Sequence, residues 1–322
     1  MHKYMTALTA EERKQFSITY SVPDKMNKFI PRLFTDREIH FALGIKESFG
    51  KEQCPEEFLK QEYQRGFISL TDDTRKSYRL SGYAVFMDVY VVREYDDYIS
   101  RFKKEERMEI DDCYFHRSFD PKAARTGYAP SEDEVLTLDE TLELIERHDG
   151  PIFLNPCDCR SFAGDCGKPR LTCVTYRGGI NTYADRGISV CLTKEEARRK
   201  EIEFDRAGLM HTFQGNTICN CCGDCCYLSR GRKIIGSGGS WPKSHHIIRF
   251  FSDRCLHCGL CEKRCWKEVF QMEEAGLHVD RSKCIGCGLC VNSCPGKALM
   301  LEEHKFPTLR KFDEEQQEIK SH

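Results

Sequence analysis

No uninterrupted apolar run in the chain approaches the roughly 18–20 residues that cross a bilayer, so no helical membrane span is expected. Residues Met1–Ala10 lack the apolar core of an export signal, and the expected setting is cytoplasmic. Neither sign of charge prevails: 49 Lys and Arg stand against 51 Asp and Glu, which argues against a general binder of polyanions. The phosphate cradles of nucleotide enzymes are missing too. The glycine-rich stretch Gly236-Ser-Gly-Gly239 lacks the Lys-Ser/Thr ending of a P-loop, and no G-x-G-x-x-G joins a strand to a helix. With no motif for a flavin or nicotinamide, a self-contained dehydrogenase is not expected.

What the chain has in quantity is cysteine, twenty in all. Disulfide scaffolds so rich in cysteine are small and secreted. A chain of 322 residues has room for two or three domains with cores of their own, and its cysteines crowd into patches with metal spacing. That pattern suits a reducing cytoplasm, in an organism living with little oxygen. The densest patch reads Cys255-Leu-His-Cys258-Gly-Leu-Cys261-Glu-Lys-Arg-Cys265, then Cys284-Ile-Gly-Cys287-Gly-Leu-Cys290-Val-Asn-Ser-Cys294-Pro295. Both halves have the spacing C-x2-C-x2-C-x3-C. Zinc takes four ligands in two pairs and needs neither the third Cys nor the x3 step. Iron–sulfur clusters account for both. Gly259, Gly286 and Gly288 suit loops that wrap a sulfide-rich body, because glycine has no Cβ to obstruct unusual dihedrals. The halves differ at Trp266, which stands where the second has Pro295.

A second cysteine-rich region lies upstream. It holds Cys157, Cys159, Cys166 and Cys173, then Cys219, Cys221, Cys222, Cys225 and Cys226, all candidate metal ligands. Three readings compete: one or more further iron–sulfur clusters, a structural zinc site, and redox-active thiols. Disulfide chemistry needs one pair, and zinc would leave five of the nine without work, so the count favours clusters. The adjacent pairs Cys221-Cys222 and Cys225-Cys226 aim their thiols in different directions and cannot all reach one small ion. His211 is a candidate ligand or donor to one, against the plainer reading of a helix-end histidine. Cys54, Cys113 and Cys191 stand apart and read as core thiols.

The fold class expected is α+β in several domains: 1–150 helical and winged-helix-like, 151–235 Cys-rich, 245–301 a two-cluster ferredoxin domain, and 302–322 a charged tail. Capping boxes at Thr9/Glu12, Thr35/Glu38, Thr137/Glu140 and Thr193/Glu196 mark helix starts. A helix over Glu56–Arg65, strands at Phe67–Leu70 and Tyr78–Leu80, and one helix over Tyr95–Ile110 follow from pattern and turn residues. Asp120–Pro130 reads as a loop, Ile152–Leu154 as a strand, and Gly236–Ser240 as a flexible linker. Residues 31–90 carry nine basic against ten acidic side chains, so the winged-helix-like segment is not expected to bind nucleic acid.

The whole layout resembles a family of 4Fe-4S proteins of anaerobes. Their shared pieces are a winged-helix-like segment, a P-C-x-C-R stretch (here Pro156–Arg160), an H-T…I-C-N-C-C-x2-C-C stretch (His211–Cys226), and a bacterial-type two-cluster ferredoxin domain (Cys255–Cys294). The resemblance implies two 4Fe-4S clusters with crossed ligation: Cys255, Cys258, Cys261 and Cys294 on one, Cys284, Cys287, Cys290 and Cys265 on the other. It implies an electron-transfer protein or subunit, rather than a stand-alone enzyme, working between a low-potential donor and an oxidoreductase partner. The alternative is an iron–sulfur redox sensor acting through the winged-helix-like segment. Lys263, Arg264 and Lys267 are expected to raise the potential of a nearby cluster or to meet an acidic partner face, against the plainer reading of an ordinary solvated helix face.

Overall fold

All four capping boxes form, each with the Thr side chain accepting from the Glu backbone N–H and the Glu carboxylate accepting in return. They start the helices Ala10–Thr19, Asp36–Gly44, Leu138–Arg147 and Lys194–Arg206. The computed structural model describes residues 8–118, 133–164, 166–237, 239 and 241–306. The loop expected at Asp120–Pro130 and residues 307–322 of the charged tail lie outside the described residues. Among them, no helix is long and apolar enough to cross a membrane.

The chain forms two units whose segments interleave in sequence. The first is Met1–Tyr114 with Ser161–Gly164 and Gly178–Val190; the second is Phe115–Arg160, Asp165–Arg177 and Cys191–His322. In the first, helix Asp36–Gly44, β1 (Ser48–Gly50), helix Glu56–Arg65, β2 (Ile68–Leu70) and β3 (Ser77–Leu80) follow in order, the strands forming an antiparallel sheet β1-β3-β2. Its core is aromatic. Tyr20 stacks on Phe67 with centroids 5.0 Å apart and donates its hydroxyl to the Phe67 carbonyl at 2.8 Å.

Residues 178–190, read from sequence as part of the Cys-rich region, complete this unit. Arg186 is fully buried, donating to the carbonyls of Tyr63 and Ile68 and to Ser69 Oγ, with its guanidinium 4.4 Å from the Tyr63 ring centroid. Asn181 satisfies the outer edge of β2, accepting from Leu70 N–H at 2.8 Å and donating to its carbonyl at 2.9 Å. The expected single helix over Tyr95–Ile110 is two helices, Tyr95–Arg101 and Lys104–Ser118. Phe102 breaks it: its backbone is extended so that its ring can enter the core, and Glu106 accepts from Lys103 N–H at 2.9 Å to begin the next helix.

Helix Glu56–Arg65 buries Glu62, and burial first, then the neighbouring charge of Glu38, pushes its pKa up to about 8. Because the folded value lies above the ordinary one of 4.5, the stabilisation is complete below that value and is lost as pH rises through about 8. Amide exchange in this helix, corrected for intrinsic rate, is expected to quicken between pH 6 and 9, and Glu62→Gln to flatten the trend. An unchanged pH dependence in Glu62→Gln would place its origin elsewhere.

The second unit is built on a six-stranded sheet in the order β4-β8-β9-β6-β5-β7. Its strands are β4 (Glu134–Leu136), β5 (Ile152–Pro156), β6 (Leu171–Thr175), β7 (Val190–Leu192), β8 (Met210–Phe213) and β9 (Thr217–Cys221). Helix Lys194–Arg206 lies against β5, β6 and β8 and packs on helix Leu138–Arg147. Cys191, expected in a core, is exposed on β7. Around the linker expected at Gly236–Ser240, described residues on either side are tied together by hydrogen bonds. Arg232 donates to the carbonyls of Trp241 at 3.0 Å and Pro242 at 2.5 Å, Ser237 Oγ donates to Trp241 O at 2.7 Å, and Trp241 is buried.

The last part of this unit is an internal repeat: strand, cysteine loop, short helix, strand. β10 (His246–Phe250) precedes helix Leu260–Arg264 and β11 (Phe270–Glu273); β12 (Gly276–Val279) precedes helix Leu289–Asn292 and β13 (Leu299–Glu303). The halves interlock, β10 pairing with β13 and β11 with β12, both antiparallel.

Candidate metal centres

That interlocking exchanges one cysteine between the halves. One enclosed cavity is lined by Cys255, Cys258, Cys261 and Cys294, with Leu256, Met272, Leu277 and Leu299. The other is lined by Cys265, Cys284, Cys287 and Cys290, with Trp266, Val269, Phe270 and Ile285. The loops reach round by turning left-handed at matched positions, His257 with Gly286, Gly259 with Gly288, and Glu268 with Lys297. Of the three glycines at these positions Gly286 alone has no room for a side chain, since a Cβ there would stand 2.0 Å from the His246 carbonyl oxygen.

Backbone N–H groups point at sulfur: Ile248 and Gly286 toward Cys284 Sγ at 3.3 and 3.4 Å, and Ala298 toward Cys294 Sγ at 3.3 Å. Such donors favour negative charge on thiolate. Burial opposes it, pushing the Cys261 thiol up to about 11 and Cys287 up to about 12, so metal must displace the protons of these two thiols. Four thiols around an apolar hollow, with amide donors to sulfur, fit a 4Fe-4S cubane.

In the upstream region, strand alternation separates side chains that are neighbours in sequence. Cys219 and Cys221 leave one face of β9, and Ile218 and Asn220 the other. His211, opposite Asn220 on β8, therefore lies on the face away from the thiols. It is fully buried, 2.7 Å from Asn220 Oδ1 and 3.1 Å from Glu201 Oε2, so neither the ligand nor the helix-end reading describes it. Burial works against its imidazolium, but Glu201 and Asn220 outweigh that and raise its pKa.

The nine cysteines fall into two groups. Cys166, Cys222 and Cys225 meet with Asp224. Of the other six, Cys157 lies beside Cys159 and Cys173, Cys173 beside Cys219, and Cys221 Sγ stands 3.1 Å from Cys226 Sγ, with Cys226 in electrostatic reach of Cys157 and Cys159. Each adjacent pair is thus split, Cys221 and Cys226 to one group, Cys222 and Cys225 to the other. Hydrogen bonds from Cys159 and Cys173, helped by Arg160, hold Cys157 well below the ordinary thiol value, and Cys225 brings Cys222 down to about 6.

Two buried arginines among these thiols had no role in the sequence reading. Arg160, within the P-C-x-C-R stretch, donates to Pro169 O, Thr172 Oγ1 and Asn220 O and lies within electrostatic reach of Cys157, Cys166, Cys173 and Cys222. Arg232 is within reach of Cys287 on one side and of Cys221 and Cys226 on the other, and burial first lowers its pKa to about 10. Their signal in the sequence was a basic residue inside, or close after, a cysteine motif. Of the three cations expected to meet a partner, Arg264 is engaged internally, donating to the carbonyls of Asp205, Arg206 and Leu289.

Residues 247–295, which contain all eight C-terminal cysteines, match the 4Fe-4S dicluster domain family. No curated protein and no solved structure matches the chain. The C-terminal part of the chain is thus a ferredoxin-type domain of the kind that binds 4Fe-4S clusters.

Proposed function

We propose that this protein carries single electrons between a low-potential donor and an oxidoreductase partner. The observation that carries the reading is the unequal setting of the two C-terminal sites. Cys258 is exposed beside Leu256 and Leu260, which are 65% and 40% exposed, while Cys284 and Cys290 are buried. A partner docking on the Leu256–Leu260 edge comes close to the Cys255 site. The inner site adjoins the upstream thiols through Arg232, and Trp266 lies against Gly223, where a Cβ would stand 2.6 Å from the Trp266 Cβ. Bound clusters supply the one-electron steps; the protein supplies ligands, amide donors and the order of the sites.

The other six thiols, a run of four from Cys157 to Cys219 and the Cys221–Cys226 pair, are the proposed seat of a further iron–sulfur centre, because they exceed the four positions of one tetrahedral ion. The order helix, strand, helix, two strands in the first unit favours a second reading, a redox sensor working through a winged-helix-like segment. Its contact would be with protein rather than nucleic acid: Arg65 of the helix Glu56–Arg65 is tied to Glu38 and Glu94 and is withheld from phosphate.

The test is anaerobic purification of the whole chain, with iron and sulfide analysis and EPR of the reduced form. Iron above the about eight atoms of two cubanes, matched by sulfide and reducible in single-electron steps, is expected. Bound zinc alone, or clusters that take up no electron at low potential, would end the proposal.

A further inference from the structure

We propose that Cys166, Cys222, Cys225 and Asp224 hold a single structural zinc ion, separate from every iron–sulfur centre in the chain. Their ligand atoms, three sulfurs and a carboxylate oxygen, all lie within 4.8 Å of one another. A tetrahedral zinc with Zn–S bonds of about 2.3 Å places its sulfurs about 3.8 Å apart, so this group needs only slight contraction to close on one ion. Donor number and donor spacing agree, since three thiolates and one carboxylate fill four positions. The eight C-terminal thiols behave differently and ring two hollows without forming any such tight group.

The chain supplies this site from two places. Cys222-Gly223-Asp224-Cys225 is a turn leaving β9, with the C-x2-C spacing that zinc knuckles use. Cys166 comes from the loop between helix Asp158–Ala163 and β6. Cys225 N–H lies 3.3 Å from Cys222 Sγ and 3.0 Å from Asp224 Oδ1, so the turn already curls its donors inward. Cys221 and Cys226, the flanking residues, pair with each other at 3.1 Å and are not among the four donors that cluster here. Thiolates with a carboxylate suit a borderline-soft ion without geometric preference of its own. The Arg160 cation, close to Cys166 and Cys222, offsets part of the remaining negative charge.

The ion would act as a staple. It ties the Cys166 loop to the turn whose Gly223 packs on Trp266, and Trp266 follows Cys265, a ligand at the inner C-terminal site. This role is distinct from electron transfer, because zinc has no redox step.

The test uses the whole chain, produced anaerobically with both metals supplied. One zinc per chain is expected, and zinc-edge X-ray absorption should show three sulfurs at about 2.3 Å and one oxygen at about 2.0 Å. Cys166→Ser should retain zinc at least tenfold less well against a chelator, with iron, sulfide and the reduced EPR signals unchanged. The absorption measurement needs no variant, so a misfolded Cys166→Ser leaves the proposal exposed to refutation. Absence of zinc from the wild-type protein, a four-sulfur shell, or loss of iron and sulfide rather than zinc in a folded Cys166→Ser would each overturn it.

Discussion

Cys265→Ser should abolish the redox signal of the site formed by Cys284, Cys287 and Cys290 and leave that of the Cys255 site in place. Cys265 is ten residues from Cys255 and nineteen from Cys284, yet it lines the cavity of the latter. The cause is the direction of the chain: helix Leu260–Arg264 carries Cys265 out of its own loop before β11 begins. A cubane left with three thiolates and a serine is destabilised, and up to about four irons per chain should be lost. Metal analysis with EPR of the reduced protein reads the outcome. A change confined to the Cys255 site would show that ligation runs within each half.

Arg160→Met is expected to strip metal from the upstream thiols while the dicluster domain keeps its clusters. Arg160 is 2% exposed, and its guanidinium joins the loop at Pro169, β6 at Thr172 and β9 at Asn220. Removing it leaves buried acceptors unsatisfied, at about 1–3 kcal/mol each, and takes away a positive charge that offsets the thiolates. Arg160→Lys restores the charge but not the planar fork that reaches three acceptors, so recovery should be partial. The checks are zinc, iron and sulfide per chain, beside the dicluster EPR signal. Unchanged metal in Arg160→Met would reduce this residue to ordinary packing.

Much of the local structure was legible because its causes lie within a few residues. Thr35 and Glu38 satisfy each other's backbone donors whatever surrounds them, and the same holds at Thr9, Thr137 and Thr193. The cysteine spacing around Cys255 and Cys284 reports a tight loop, which is also local. Phe102 shows the limit of such reasoning. The pattern around it continues a helix, but burial of its ring requires an extended backbone, and the partners that bury it come from elsewhere in the chain.

The sequence by itself determined the helix starts, the repeat that makes two C-terminal sites, and the class of metal those sites take. Tertiary structure alone decided which of nine upstream thiols belong together. Cys221 and Cys222 are adjacent, but one ends a strand with its side chain fixed by the pleat and the other opens a turn, so they diverge. Cys166 and Cys222 meet only because β6 and β9 pair and bring their flanking loops to one end of the sheet. His211 was removed from the thiols by the same alternation, and Arg186 went to the first unit, where it donates to the carbonyls of Tyr63 and Ile68. Spacing along a chain records which residues can share a loop; which loops share a metal depends on strand pairing between distant segments, and no local pattern encodes that.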